Sequence, residues 1–252
     1  MRILLAAVRC EKGEVAANQA LHQHLLGEAA AAGCDLALFP EMSLTGSVNP
    51  AAHPERLMSL QDPAVGEVAR AAADAGVAAC FGLAERSAGG AAHITQVVAA
   101  AGCVVGVQRK RHLGQGEEAF VPAAEPAVLE HAGVRFAIAI CAESGYDAPF
   151  DAAAAAGAGL VLFPAAPGLH GRRTSAASWQ DGFAWWQGCG LGDARRHARR
   201  RGLWIALAGQ AGSTADEDFP GLAALVSPAG TVTDRLPDWR PGTLIVDVPL
   251  PS

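Results

Sequence analysis

Glu41, Lys110 and Cys141 are the residues of this sequence whose types and placement could carry covalent chemistry. Each follows a short apolar run: Glu41 comes after "LALFP", Lys110 after "VVGVQR" and Cys141 after "VRFAIAI". Such runs read as strands, and ligand sites in α/β proteins gather outside the carboxyl ends of strands. An acid, an amine and a thiol at three strand ends together describe acyl transfer. A free thiol with a pKa near 8.5 is only a few per cent thiolate at neutral pH, so it needs help to attack. A neighbouring carboxylate can take its proton, and an ammonium can both lower the thiol pKa and hold the negative charge of a tetrahedral intermediate. The backbone N–H of Ala142, directly after the thiol, is a second candidate donor for that charge. Taken singly, each residue has an ordinary explanation: a solvated loop acid, a basic turn within "QRKRH", an inert core thiol. Their common placement at strand ends is what sets them apart.

The elements that must position them are legible as alternating patterns. Short apolar runs predict strands over Ile3–Val8, Leu36–Phe39, Val77–Gly82, Ile94–Ala99, Val104–Gln108, Arg135–Ile140, Leu160–Phe163, Trp204–Ala208, Ala223–Ser227 and Thr243–Val248. Ala-rich stretches predict helices near 14–32, 63–75, 149–156 and 178–201. Gly33, Gly76 and Gly157 stand where C-terminal helix caps would, and Asp62-Pro63 opens a helix. Strand and helix alternate at both ends, with hairpins at "AHITQVVAAAGCVVGVQRK" and "AALVSPAGTVTDRL". A helix followed by "LxLFP" occurs twice, at 36–40 and 160–164, with Glu41 after the first copy and Ala165 in the second. The expectation is two similar sheets packed together, an α/β protein in one domain over residues 1–252. No G-x-G-x-x-G follows the first strand, so a Rossmann nucleotide site is not expected.

Composition narrows the function classes. Of 252 residues, 51% are hydrophobic and 17% charged, which suits a sizeable core rather than disorder. The net charge of −6 argues against a nucleic-acid partner. The basic run "ARRHARRR" at 194–201 reads as a solvated helix face with one arginine turned inward. The three tryptophans before it, Trp179, Trp185 and Trp186, could pack a core, line a pocket or face a partner. Six scattered cysteines contain no C-x-x-C, and "HQH" at 22–24 has no ligand-spaced acid or thiol, so neither metal nor cofactor is expected. The opening apolar run stops at Arg9 and lacks a cleavage site, and no stretch reads as a membrane span, so a cytoplasmic location with reduced thiols is expected.

The stretches "LALFPEMSLTG", "GVQRKRHLGQGEEAFVP" and "FAIAICAESGYDAP" resemble the glutamate, lysine and cysteine motifs of the nitrilase superfamily, the carbon–nitrogen hydrolases. "GLVLFPAAP" and "ALVSPAGTV" resemble later landmarks of that family. The resemblance implies a four-layer αββα sandwich of two mixed sheets, a homodimer, and no cofactor. It implies Glu41 as general base, Lys110 as the cation that stabilises the intermediate, and Cys141 as nucleophile. It also implies a second glutamate in "EEAF"; Glu117 and Glu118 both qualify, and the distance from Lys110 favours Glu118. The implied reaction is cleavage of a small linear amide through a Cys thioester, with nitrile or N-carbamoyl-amine hydrolysis as alternatives on the same site. A catalytically silent small-molecule binder on the same scaffold is the alternative of another class. Ser47 stands where an aromatic often follows "TG", Gln108 replaces a tyrosine, and Ala142 replaces an aromatic after the cysteine. These departures bear on pocket shape and substrate. His112 in the K-x-H-L pattern is expected to make a structural hydrogen bond. Glu143 reads equally as a support for the site or as a charge at a helix start.

Overall fold

The computed structural model describes residues 1–124 and 128–249. Two six-stranded mixed sheets lie face to face, and both repeat one plan. In the first, three parallel strands, β1 (Arg2–Ala7), β2 (Leu36–Leu38) and β3 (Ala78–Arg86), continue into the antiparallel hairpin β4 (Ala92–Ala100) and β5 (Cys103–Arg109). In the second, β7 (Val134–Ile138), β8 (Leu160–Ala165) and β9 (Trp204–Gly209) are parallel and continue into antiparallel β12 (Ala223–Val226) and β13 (Val232–Arg235). An antiparallel strand closes the far edge of each: β14 (Gly242–Asp247) beside β1, and β6 (Val128–His131) beside β7. The two "LxLFP" copies, β2 and β8, are the middle strands of the two parallel triplets. A separate small ribbon pairs β10 (Ala211–Ser213) with β11 (Asp218–Pro220).

Parallel neighbours need a crossover, and helices supply it. Helix α1 (Val15–Ala31) joins β1 to β2 and α2 (Pro63–Ala75) joins β2 to β3. Asp62 caps α2 by accepting from Ala64 N at 3.0 Å, and Gly76 ends it in the left-handed conformation, φ +65°. In the second half, α3 (Ala148–Ala155), α4 (Ala176–Trp186) and α5 (Gly192–Arg201) play the same part.

Period-two alternation along β1 explains the layering. Ile3, Leu5 and Ala7 join Phe136, Leu160 and Leu162 in the core between the sheets, while Leu4, Ala6 and Val8 join Leu25, Leu26, Val65 and Val68 under α1 and α2. Each leucine so enclosed contributes about 1.5–3 kcal/mol over an exposed one. On the far side, Trp186 of α4 packs on Phe163 of β8, with ring centroids 6.2 Å apart. The result is the four-layer αββα sandwich.

The stretch expected as one helix over 178–201 is divided. Gln187–Leu191 forms a π-helical turn between α4 and α5. Within that turn the indole of Trp186 lies against Gly190, where any Cβ would stand. The "ARRHARRR" run is taken up by local pairs. Arg201 reaches Asp151 at 2.7 Å and Asp147 at 2.9 Å, and the buried ring of His197 stacks on Phe150 at 3.8 Å. Among the described residues no helix is long and apolar enough to cross a membrane.

Candidate active site

Glu41 leaves the end of β2 into a segment that β3 holds at several points. Phe39 N donates to Cys80 O and Leu44 N to Gly82 O, both at 2.8 Å, while Ser43 Oγ accepts from Gly82 N at 3.1 Å. Ser43 also meets His22 Nε2 at 3.0 Å, and His22 Nδ1 meets the Asn18 carbonyl at 2.7 Å. The carbonyl can only accept, so Nδ1 carries the proton and the Ser43 hydroxyl donates to Nε2. Burial lowers the His22 pKa to about 4, which keeps that ring neutral. His22 is thus a support of the Glu41 loop, and among the described residues no group of three or more His, Cys, Asp or Glu could hold a metal.

Gly82 is a structural requirement that the sequence did not flag. A Cβ there would overlap Met42 N and come within 3.0 Å of Glu41 C, so the absence of a side chain is what lets the Glu41 turn sit on β3.

Lys110 continues from β5, its N–H bonded to Ile94 O at 2.8 Å. Its ammonium lies 2.7 Å from Glu41 Oε1 and 2.7 Å from Glu117 Oε1. Glu117 is held in turn by Gly114 N, which donates to its Oε2 at 2.6 Å. Glu118, the residue favoured from spacing, does not reach the lysine. Its side chain is exposed and accepts from Gly116 N at 3.0 Å. The tight turn after Gly114 shortens the path from Lys110, which is why counting residues alone misplaced the contact by one.

Cys141 opens a 3₁₀ turn, Cys141–Gly145, in the left-handed region at φ +44°. A non-glycine residue in that region carries a backbone cost of about 1–3 kcal/mol, of the kind concentrated at functional sites. The turn places the thiol close enough to Glu41 for the carboxylate charge to act on it. Ala142 is the second residue of the turn, where a backbone N–H has no acceptor within it. Glu143 ties the turn to the lysine segment. Its carboxylate accepts from Ile140 N at 2.7 Å, from Arg111 N at 2.9 Å and from Arg111 Nε at 3.1 Å. It therefore both caps a helical start and joins the residues flanking Lys110 and Cys141. His112 makes no hydrogen bond through Nδ1; its ring stacks on Tyr146 at 4.2 Å instead.

The second "LxLFP" copy completes the cluster. Beyond β8, Ala166 N donates to Glu41 Oε2 at 3.0 Å. Gln210, after β9, donates from Nε2 to Glu41 O and to Ser47 Oγ, both at 3.1 Å. One "LFP" exit thus presents a carboxylate, and its counterpart in the other sheet presents the N–H that orients it.

Electrostatics follow from enclosure. Glu41 and Lys110 are fully buried, and Cys141 is nearly so. Desolvation raises the Glu41 pKa despite Lys110, and raises the Cys141 thiol well above its ordinary value, with the Glu41 charge adding to the effect. Burial would lower Lys110, but Glu41, Cys141 and Glu117 outweigh it and hold the ammonium charged. The resting cluster is a protonated thiol beside a carboxylate and a permanent cation. A cavity of about 260 Å3 lies beside it, lined in part by Met42, Glu117, Phe120 and Ala166.

Comparison with solved structures places this arrangement. An amidase from Nesterenkonia sp. superposes with a TM-score of 0.85 at 28% sequence identity, covering 99% of this chain and 90% of that one. A Glu-to-Gln variant of the Nesterenkonia sp. AN1 amidase, with acrylamide added to its active-site cysteine, matches at 0.85 and 27% identity over 99% and 93% of the chains. The same variant, carrying the acetamide moiety of fluoroacetamide on the cysteine, matches at 0.85 and 27% over 99% and 90%. No match was found among curated proteins. Sandwich and site together define a cysteine-dependent, amidase-like carbon–nitrogen hydrolase. The carbon–nitrogen hydrolase family model matches residues 4–252, and the chain belongs to that family.

Proposed function

We propose that the protein hydrolyses a small linear amide to a carboxylate and ammonia or an amine, through a thioester on Cys141. The observation that carries this reading is one buried carboxylate, Glu41, bonded to the Lys110 ammonium and close enough to the Cys141 thiol for its charge to raise the thiol pKa. As Cys141 Sγ bonds to the substrate carbonyl carbon, its proton passes to Glu41. Lys110 has three ammonium protons; two go to Glu41 and Glu117, which leaves one for the developing oxyanion beside the Ala142 N–H. Collapse breaks the C–N bond, and Glu41 returns the proton to the leaving nitrogen. Water then attacks the thioester, Glu41 takes its proton, and the C–S bond breaks with reprotonation of sulfur.

Amides are preferred over nitriles and carbamoyl amines because solved structures similar to this chain are amidases. The same reading holds residues 1–252 to be one domain working as a cytoplasmic homodimer. Free thiols at all six cysteines suit a reducing compartment, and Trp185, exposed on α4, is the kind of aromatic an interface covers.

Intact-mass spectrometry after incubation with a panel of primary amides tests the proposal. An acyl increment located on Cys141, absent from Cys141→Ala, is expected; turnover that survives in Cys141→Ala would dismiss the mechanism. The two glutamates are separable by the same assay. Glu117→Gln should lower turnover by roughly 10²-fold or more, because the Lys110 ammonium loses an oriented partner. Glu118→Gln should stay within about twofold of the parent, since an exposed carboxylate away from the lysine contributes little.

A further inference from the structure

Lys12, in the loop between β1 and α1, stands between two cavities. The 260 Å3 cavity beside Glu117 and Ala166 lies on one side. A larger one of about 730 Å3, lined in part by Arg9, Glu14, His53 and Arg56, lies on the other. Lys12 and the segment 47–49 line both. The lysine ammonium is held from each side: Glu217 Oε2, 2.8 Å away, borders the smaller cavity, and Asp216 Oδ1, 3.0 Å away, borders the larger.

The partition is built rather than incidental. Glu11 Oε1 accepts from Ala215 N at 2.8 Å, so the loop after β1 is clasped twice to the turn between β10 and β11. The Glu217 carboxylate occupies the place where a side chain on residue 168 would begin, so Gly168 provides its seat. The Lys12 side chain is only 16% exposed. Burial would lower its pKa, but the two carboxylates raise it above the ordinary lysine value, so the ammonium stays charged across neutral pH.

We propose that the Lys12–Glu217–Asp216 cluster is the end wall of the acyl pocket and limits the enzyme to short-chain amides. This rests on the amidase reading above. For a primary amide the acyl chain is the only part that varies, so its length must be accommodated in the cavity next to the cluster. A chain that stops within the smaller cavity leaves the ion pairs intact. A longer apolar chain must displace a partly buried ammonium from its carboxylates, and groups left unpaired there lose both partners and solvent. Ser47, Val48 and Asn49 share the partition, and Lys12 is its charged part, held from both sides by carboxylates.

Straight-chain primary amides from acetamide to hexanamide test this on the full-length protein, with Lys12→Ala, Lys12→Arg and Glu217→Gln beside the parent. The parent should lose kcat/KM steeply once the chain outgrows the smaller cavity. Lys12→Ala should raise the hexanamide to propionamide ratio at least tenfold, since each methylene newly accommodated is worth about fourfold. Lys12→Arg restores the cation and should return the parental ratio. Glu217→Gln keeps the shape, weakens the pair and should raise the ratio about threefold, which also serves should Lys12→Ala fail to fold. An unchanged ratio in a folded Lys12→Ala, or a parent equally good on hexanamide, overturns the proposal. A parent inactive on every amide would instead count against the amidase reading. The size limit is then read from protection of Cys141 against iodoacetamide by aldehydes of two to six carbons. Protection by the short ones only, extended to six carbons in Lys12→Ala, supports the wall, and equal protection throughout overturns it.

Discussion

Glu41→Gln is expected to keep the fold and to lower amide turnover by about 10²–10⁴-fold, the usual worth of a positioned general base. Glutamine preserves the volume of the side chain and can still present an oxygen to Ala166 N or to Lys110. What it cannot do is accept the thiol proton. Because enclosure raises the Cys141 pKa, few thiolates form without that acceptor. The pH dependence supplies the sign. Only ionised Glu41 can take the proton, and burial lifts its pKa above 4.5. Acylation should therefore fall as pH drops through a limb lying above the ordinary carboxylate range. Stopped-flow acylation or the rate of iodoacetamide labelling measures that limb, and it should disappear in Glu41→Gln. A variant that retained both the rate and the limb would remove Glu41 from the mechanism.

Lys110→Met is expected to abolish turnover and also to destabilise the protein, by about 3–5 kcal/mol at neutral pH. The lysine is the shared partner of two carboxylates, and its side chain has no measurable exposure. Without it the buried Glu41 and the partly buried Glu117 are left with no cation between them. For a chain of this size the loss corresponds to a Tm lower by roughly 6–20 °C. The sign with pH is opposite to that of a simple acid-stabilised pair. Lys110 lowers the Glu41 pKa, so removing the cation raises it further in the folded state and the penalty is greatest when Glu41 must ionise. It should shrink as pH falls and Glu41 protonates. Thermal melts from pH 5 to 8 measure this; a uniform loss at all pH values would show that packing, not charge, is the role of the lysine.

The repeat that carries the fold could be followed in the one-dimensional pattern. "LALFPE" and "LVLFPA" are near copies, and they prove to be equivalent middle strands in equivalent sheets. Short features were less visible. β6, β10 and β11 run only three or four residues, too few for alternation to stand out. The π turn at 187–191 brings an indole against a glycine, a contact with no periodic signature.

What the sequence by itself determined is a pair of similar α/β sheets packed together and the three strand-end positions of Glu41, Lys110 and Cys141. Both follow from local causes: apolar alternation makes strands, Ala-rich stretches make crossovers, and polar residues at strand exits are left outside the sheet. What only the tertiary structure decided lies between segments far apart in the chain. Whether Glu117 or Glu118 meets the lysine depends on the turn after Gly114, and the orientation of Glu41 depends on an N–H from Ala166, 125 residues away. The support of Ser43 by His22, the seat that Gly82 makes for the Glu41 turn and the wall built by Lys12 and Glu217 belong to the same class. Hydrogen bonds and ion pairs act over about 3 Å, and no spacing along the chain encodes which distant groups will come that close.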